Sequence, residues 1–167
     1  MYRVETVSEG YALIVNDEGY EASWLANTVA AAEQIAMELN RPEMLLALAS
    51  FRYEFETGGL ELPGGLRLLT DRESQGQLSS TYNDLKCGLI PDTDLKAANG
   101  WQVVDLAAME PIARALAAHR RGCFRGESVL IAAINAASTL DMQKEIDIEA
   151  DFKAVYQAAY AEVMEAA

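Results

Sequence analysis

The chain has 167 residues, 51% of them apolar, with 13 Lys and Arg against 26 Asp and Glu, one His and two Cys. That length buries one proper core, with room for an appendage, and leaves no room for a second enzyme domain; the formal charge of −13 disfavours a phosphate-backbone binder, which needs surplus Lys and Arg to displace counterions. No apolar run reaches the ~18 residues of a membrane span, and Met1-Tyr2-Arg3-Val4-Glu5 lacks a signal-peptide layout, so a cytoplasmic product is expected, with Cys87 and Cys123 as reduced thiols.

In chain order, Tyr2–Val7 alternates with period two and Tyr11–Val15 is rich in β-branched residues, which predicts a hairpin around Ser8-Glu9-Gly10 that Asp17-Glu18-Gly19 ends. From about Ser23, the spacing of Leu25, Val29, Ala32, Ile35 (or Ala36) and Leu39 predicts a helix, stopped by Asn40-Arg41-Pro42; Pro42 then opens a short helix over 43–49. Phe51-Arg52-Tyr53-Glu54-Phe55-Glu56 alternates strictly and reads as a strand pairing with Leu66–Leu69 across the Gly58-Gly59 and Pro63-Gly64-Gly65 turns. Thr70 and Glu73 have capping-box spacing and open a helix that carries Leu78, Tyr82 and Leu85 to Cys87-Gly88.

After Pro91, Asn99-Gly100 predicts a hairpin of Asp94–Ala98 and Trp101–Val104. A long helix starts between Asp105 and Pro111, near Ala108 or with a kink at Pro111. Its core stripe is Ile112, Leu116, His119, Cys123, Gly126, Leu130, Ala133 and Ala137, with Gly126 open to close backbone approach. A short helical segment follows, then a helix from about Glu149 whose first turn is acidic and whose apolar stripe is Phe152, Val155, Tyr156, Ala159, Tyr160 and Val163. The expected fold class is α+β: small β-hairpins packed on a predominantly helical bundle with one long central helix. The expected divisions are 1–50, 51–138 and 139–167.

Chemistry-bearing patterns are sparse. His119 and Cys123 lie one helical turn apart and could form a thiolate–imidazole pair, but no third residue orients them, and joint burial in the core is the better reading. One His and two distant Cys make a poor zinc set. Asp147-x-Glu149-x-Asp151 has Phe152 where a calcium loop needs Gly, so it reads as a helix start. The paired glycines lack the frame of a phosphate cradle. No cofactor or metal is expected. Arg120, Arg121 and Arg125 read mainly as a solvated helix face, with an acidic partner patch as the alternative. The best anchors for a protein partner are Trp101, Phe152, Val155, Tyr156, Tyr160 and Val163, with Arg121 and Arg125; for Trp101, burial in its own chain is slightly favoured.

Gly65-Leu66, Thr70-Asp71-Arg72-Glu73-Ser74-Gln75, Lys96 with Ala98-Asn99-Gly100-Trp101, His119 with Cys123-Phe124, and Glu127 with Ala132-Ala133-Ile134 and Ala136-Ala137 follow one another over about residues 51–138. In that order they resemble a tail-fibre-associated domain of unknown function common in tailed-phage and prophage genomes. The resemblance implies a non-enzymatic phage tail protein, a structural or accessory part of the distal tail or tail-fibre apparatus. It would be made in the bacterial host cytoplasm and incorporated in the virion tail, with other tail or fibre proteins as partners in a homo-oligomer or hetero-assembly, and with neither nucleic acid nor membrane. It implies no active site. The alternatives are a fibre-assembly chaperone absent from the particle and, from another class, an acidic inhibitor or decoy of a host protein.

Overall fold

A computed structural model describes residues 1–8, 11–19, 21–26 and 28–166. The architecture is α+β, with seven strands in three small antiparallel sheets and five helices among the described residues. Two compact units divide the chain. One comprises Met1–Ser50 with Glu127–Phe152, the other Phe51–Gly126 with Lys153–Ala167. Three helices, α1 (Val29–Thr57), α3 (Leu106–Ala136) and α5 (Ile148–Glu165), contribute residues to both.

In the first unit, β1 (Arg3–Ser8), β2 (Tyr11–Val15) and β3 (Glu21–Leu25) form a meander in that order. The predicted first hairpin is present, although its turn residues Glu9 and Gly10 lie outside the described residues. The segment from Ser23, expected to be helical, instead completes β3, whose backbone pairs Val15 with Glu21 and Tyr11 with Leu25. Helix α1 starts later, where the Thr28 hydroxyl accepts from the Ala31 N–H at 3.1 Å. Ala12, Ile14, Ala26, Ala32, Ala36, Met37 and Leu140 make the core of this unit.

The stop expected at Asn40-Arg41-Pro42 does not occur, and the separate helix over 43–49 is part of α1. Buried positions continue at four-residue steps through Ala32, Ala36, Asn40, Met44 and Leu48. Pro42 and Glu38, whose carbonyl loses its helical partner, are both exposed, so water can serve that carbonyl. Asn40 is fully buried and fully used. It accepts from the Tyr2 N–H at 2.5 Å, and its amide donates to the Tyr2 carbonyl and to Gln143 Oε1 at 3.1 and 3.2 Å. Gln143, in the short helix α4 (Leu140–Lys144), donates in turn to the Met37 carbonyl at 3.1 Å.

In the second unit, residues 51–56 are the end of α1 and not a strand. Tyr53 is half-exposed and Glu56 is buried, the reverse of what an alternating apolar strand requires. The partner of β5 (Arg67–Leu68) is therefore β4 (Leu60–Glu61), across a turn in which Gly64 and Gly65 take φ of 92° and 84°. Helix α2 (Arg72–Lys86) buries Gln75, Leu78 and Leu85 and ends at Cys87-Gly88 as predicted. Its cap is Asp71 and not Thr70: the Asp71 carboxylate accepts from the Ser74 N–H at 3.0 Å and the Ser74 hydroxyl at 2.5 Å. Thr70 is buried, and its hydroxyl accepts from the Gly59 N–H at 2.8 Å.

Strands β6 (Asp92–Ala97) and β7 (Gly100–Asp105) form the predicted hairpin, with its apex one residue earlier than expected, at Ala98-Asn99. Helix α3 starts at Leu106, where the Asp105 carboxylate accepts from the Ala108 N–H at 2.8 Å, and runs through an exposed Pro111. The predicted stripe is buried from Ile112 to Leu130 and again at Ala137, but Ile134 replaces Ala133, which is exposed. Leu62, Leu68, Leu78, Leu85, Val104, Met109, Ile112, Ala115 and Leu116 form this unit's core.

Candidate functional site

Two constellations in the second unit hold some of the residues singled out from sequence, among them His119, Cys123, Tyr156 and Trp101. The first is a buried node on α1, α3 and α5. The carbonyl of Glu56, one residue from the end of α1, has no donor within its helix and is met by His119 Nε2 at 3.0 Å. That bond puts the proton on Nε2. The other ring nitrogen is then an acceptor, and the Tyr156 hydroxyl donates to Nδ1 at 2.9 Å. Burial pushes the His119 pKa below its ordinary value against the opposing pull of the Glu56 carbonyl and carboxylate, so the ring is held neutral. Burial also raises the Tyr156 phenol well above its ordinary value. The Tyr156 ring stands edge-on to Phe55 at 4.8 Å and fills the space where a Cβ on Gly122 would lie, 2.6 Å from its Cδ2. Cys123 Sγ is 3.9 Å from His119 Nε2, a nitrogen already committed to the Glu56 carbonyl.

The Glu56 carboxylate belongs to the same node. Arg52 donates to it at 2.5 Å and Gln75 at 3.4 Å, with Arg72 3.9 Å away. Gln75 also donates to the Thr70 carbonyl at 2.6 Å. The hexapeptide Thr70–Gln75 is thus an architectural clasp: Thr70 holds the Gly59 backbone, Asp71 caps α2, and Gln75 reaches back to the end of α1.

The second constellation is the β6–β7 hairpin. Its apex is fastened to the preceding turn, with Ala98 N–H donating to the Arg67 carbonyl at 2.7 Å. The Asn99 side chain acts like a peptide unit, donating to the Gly65 carbonyl at 3.0 Å and accepting from the Arg67 N–H at 3.3 Å. On β7, Trp101 and Val103 share one face, 70% and 67% exposed, opposite Lys96 and Asp94 on β6. The Lys96 ammonium lies over the indole, 5.9 Å from its centroid. The indole faces solvent, contrary to the slight preference for burial.

The other expected anchors are placed differently. Phe152 and Tyr156 are buried in their own chain at 0% and 4% exposure, which removes them from the available surface; an apolar helix face needs cover, and their own fold supplies it. Val155, Tyr160 and Val163 are half-buried. Arg121 is exposed but tied down, donating to the Ala159 carbonyl at 2.7 Å and to Glu162 at 2.6 Å. Arg125 is exposed. Asp147 opens α5 by accepting from the Ala150 N–H at 3.0 Å, the helix-start role expected for that acidic run. Among the described residues no group of three or more His, Cys, Asp and Glu is placed to hold a metal ion, and no helix is long and apolar enough to cross a membrane. The Glu56–Gln75 clasp and the anchoring role of Asn99 escaped the sequence reading. The only sequence signal for either was their place in the two motifs that carry the resemblance.

A family model described as "Domain of unknown function (DUF4376)" matches residues 40–154, more than half of the chain. The chain belongs to that family. The DUF4376 match contains both constellations except for the end of α5, whose Tyr156 lies just beyond it. No curated protein and no solved structure matches the chain.

Proposed function

We propose that the protein is a non-enzymatic component of a phage or prophage tail, working in the distal tail or tail-fibre apparatus through protein–protein contacts. The observation that carries this reading is the solvent-facing pair Trp101 and Val103 on a hairpin whose apex is bolted down by Ala98 and Asn99. A large aromatic side chain held on a fixed support loses little freedom on binding, which is the usual make-up of an interface hot spot. The buried node supports the same reading: both ring nitrogens of His119 and, through Gln75, the Glu56 carboxylate are spent on holding helices together. The tail setting draws on the likeness of the 70–75 and 98–101 motifs to a family found beside tail-fibre genes.

The test is quantitative mass spectrometry of purified particles of the encoding phage, with wild-type protein and with Trp101→Ser. A fixed copy number relative to the major tail protein, lost in the variant, is the expected result. Presence in infected cells but absence from particles would replace the structural role with that of a chaperone. Unchanged incorporation of Trp101→Ser would remove the hairpin from the contact.

A further inference from the structure

A cleft of about 350 Å³ runs between α2 and α3 in the second unit. Leu78, Ser79, Tyr82 and Asn83 form its α2 wall; Ala113 and Ala117 give the α3 wall a smooth apolar strip. Arg114 and Arg120 line the same α3 wall. They are six residues apart, about 9 Å along a helix axis, so they stand at different heights of the cleft.

Their electrostatic position is unusual for this chain. Acids outnumber Lys and Arg 26 to 13, yet among the described residues neither Arg114 nor Arg120 has a salt bridge or a hydrogen bond to a carboxylate. Both are half-buried along the cleft wall. Glu110 stands one turn before Arg114 and lines the cleft without pairing with it. A guanidinium beside apolar surface and without a carboxylate of its own favours one from outside the chain, which it can grip through two parallel N–H donors. Asn83 and the Ser79 hydroxyl, which itself donates to the Gln75 carbonyl at 2.9 Å, add polar groups on the facing wall.

We infer that this cleft is a second docking surface, whose occupant is a segment of a partner protein that alternates acidic and apolar side chains. The acids meet Arg114 and Arg120, and the apolar side chains lie on Leu78, Ala113 and Ala117. The inference rests on the reading of the protein as a contact-making component for its biological setting only, because the binding is measured on the isolated full chain.

The probe is the peptide acetyl-Glu-Leu-Glu-Leu-Glu-amide, titrated into the isotope-labelled chain and followed by amide and Arg Nε–H resonances. Saturable shifts are expected at Ser79, Asn83, Arg114, Ala117 and Arg120. The Arg114→Gln, Arg120→Gln double variant should bind about tenfold more weakly or worse, the loss expected for a charge-assisted pair, while keeping a native spectrum. Arg125→Gln on the same helix, outside the cleft, should bind as wild type. Four results would each overturn the inference: no saturable shift; equal binding of the Gln-Leu-Gln-Leu-Gln peptide; the same shifts with inorganic phosphate at equal charge; or an equal loss in Arg125→Gln. Failure here with Trp101-dependent incorporation intact would reject the cleft and leave the proposed function standing. Peptide binding with no incorporation would do the reverse.

Discussion

At the scale of single residues, His119 joins the end of α1 to α5 only in its neutral form, and this gives stability a pH dependence of defined sign. Its folded pKa lies below the ordinary 6.5 because burial penalises the charged ring. Between the two values the unfolded chain binds more protons than the folded one, so stability rises with pH. The contribution is complete above 6.5 and is lost as pH falls through the depressed folded value. Urea midpoints should therefore fall between about pH 7.5 and 5.5, a window above the ordinary carboxylate range, and His119→Gln should flatten that slope. Parallel slopes for the two proteins would show that His119 does not carry it. Gly122 makes a complementary point. An interior helical glycine costs about 1 kcal/mol against alanine, so on propensity alone Gly122→Ala would stabilise. The added methyl would instead lie 2.6 Å from Tyr156 Cδ2 and 3.1 Å from its carbonyl oxygen, and the Tyr156 ring is pinned by its bond to His119. Net destabilisation of about 1–3 kcal/mol is expected from such overpacking, read from denaturant midpoints; an unchanged or higher midpoint would mean that α5 moves aside freely.

At the scale of elements, α2 offers a direct test of which residue caps it. Asp71→Ala should lower the thermal midpoint by roughly 2–4 °C, the usual consequence of losing an N-cap in a chain of this length, whereas Glu73→Ala should leave it nearly unchanged. The opposite order would restore Thr70 and Glu73 as the capping pair. The sequence misleads here because Thr70 has the right spacing but is drawn inward to hold Gly59, leaving its neighbour to do the capping. A similar displacement explains the largest misreading, residues 51–56. Their alternation is genuine as a pattern, but the position that is buried is Glu56, neutralised by Arg52 one turn earlier on α1 and hydrogen-bonded by Gln75 from α2. No local pattern announces a buried carboxylate whose partners lie 4 and 19 residues away. The same holds for Pro42, which local rules make a helix stop and which α1 carries on its exposed side because burial continues beneath it. The two later hairpin strands, the body of α2 and most of the α3 stripe were legible because their signals are local: a turn pair, a glycine stop, a heptad-like spacing. Trp101 was legible as a candidate anchor but not as a solvent-facing one, since exposure depends on Asn99 fastening the hairpin to Gly65 and Arg67.

At the scale of the whole molecule, the surplus of 26 acids over 13 Lys and Arg sets a background against which any local basic feature stands out. Like charges repel more in the folded state, where they are confined, than in an expanded chain, so the surplus works against folding. Screening relieves that repulsion: the Debye length falls from about 30 Å at 0.01 M salt to about 8 Å at 0.15 M. The ion pairs that screening would weaken are mostly exposed, such as Arg3–Glu5, Arg67–Glu61 and Lys144–Asp141, and contribute little each. The thermal midpoint should therefore rise with sodium chloride over that range, and a fall would mean that specific ion pairs outweigh the net charge. The cleft between α2 and α3 must respond with the opposite sign, because an acidic peptide held by Arg114 and Arg120 loses attraction as salt screens it. Measuring both on one preparation separates the two effects. If salt raises the midpoint and weakens the peptide together, the acidity is a property of the whole surface and the arginine cleft a local exception to it. If both move in the same direction, the peptide is held by apolar contact or the stability by discrete pairs, and the sign of the shared change says which.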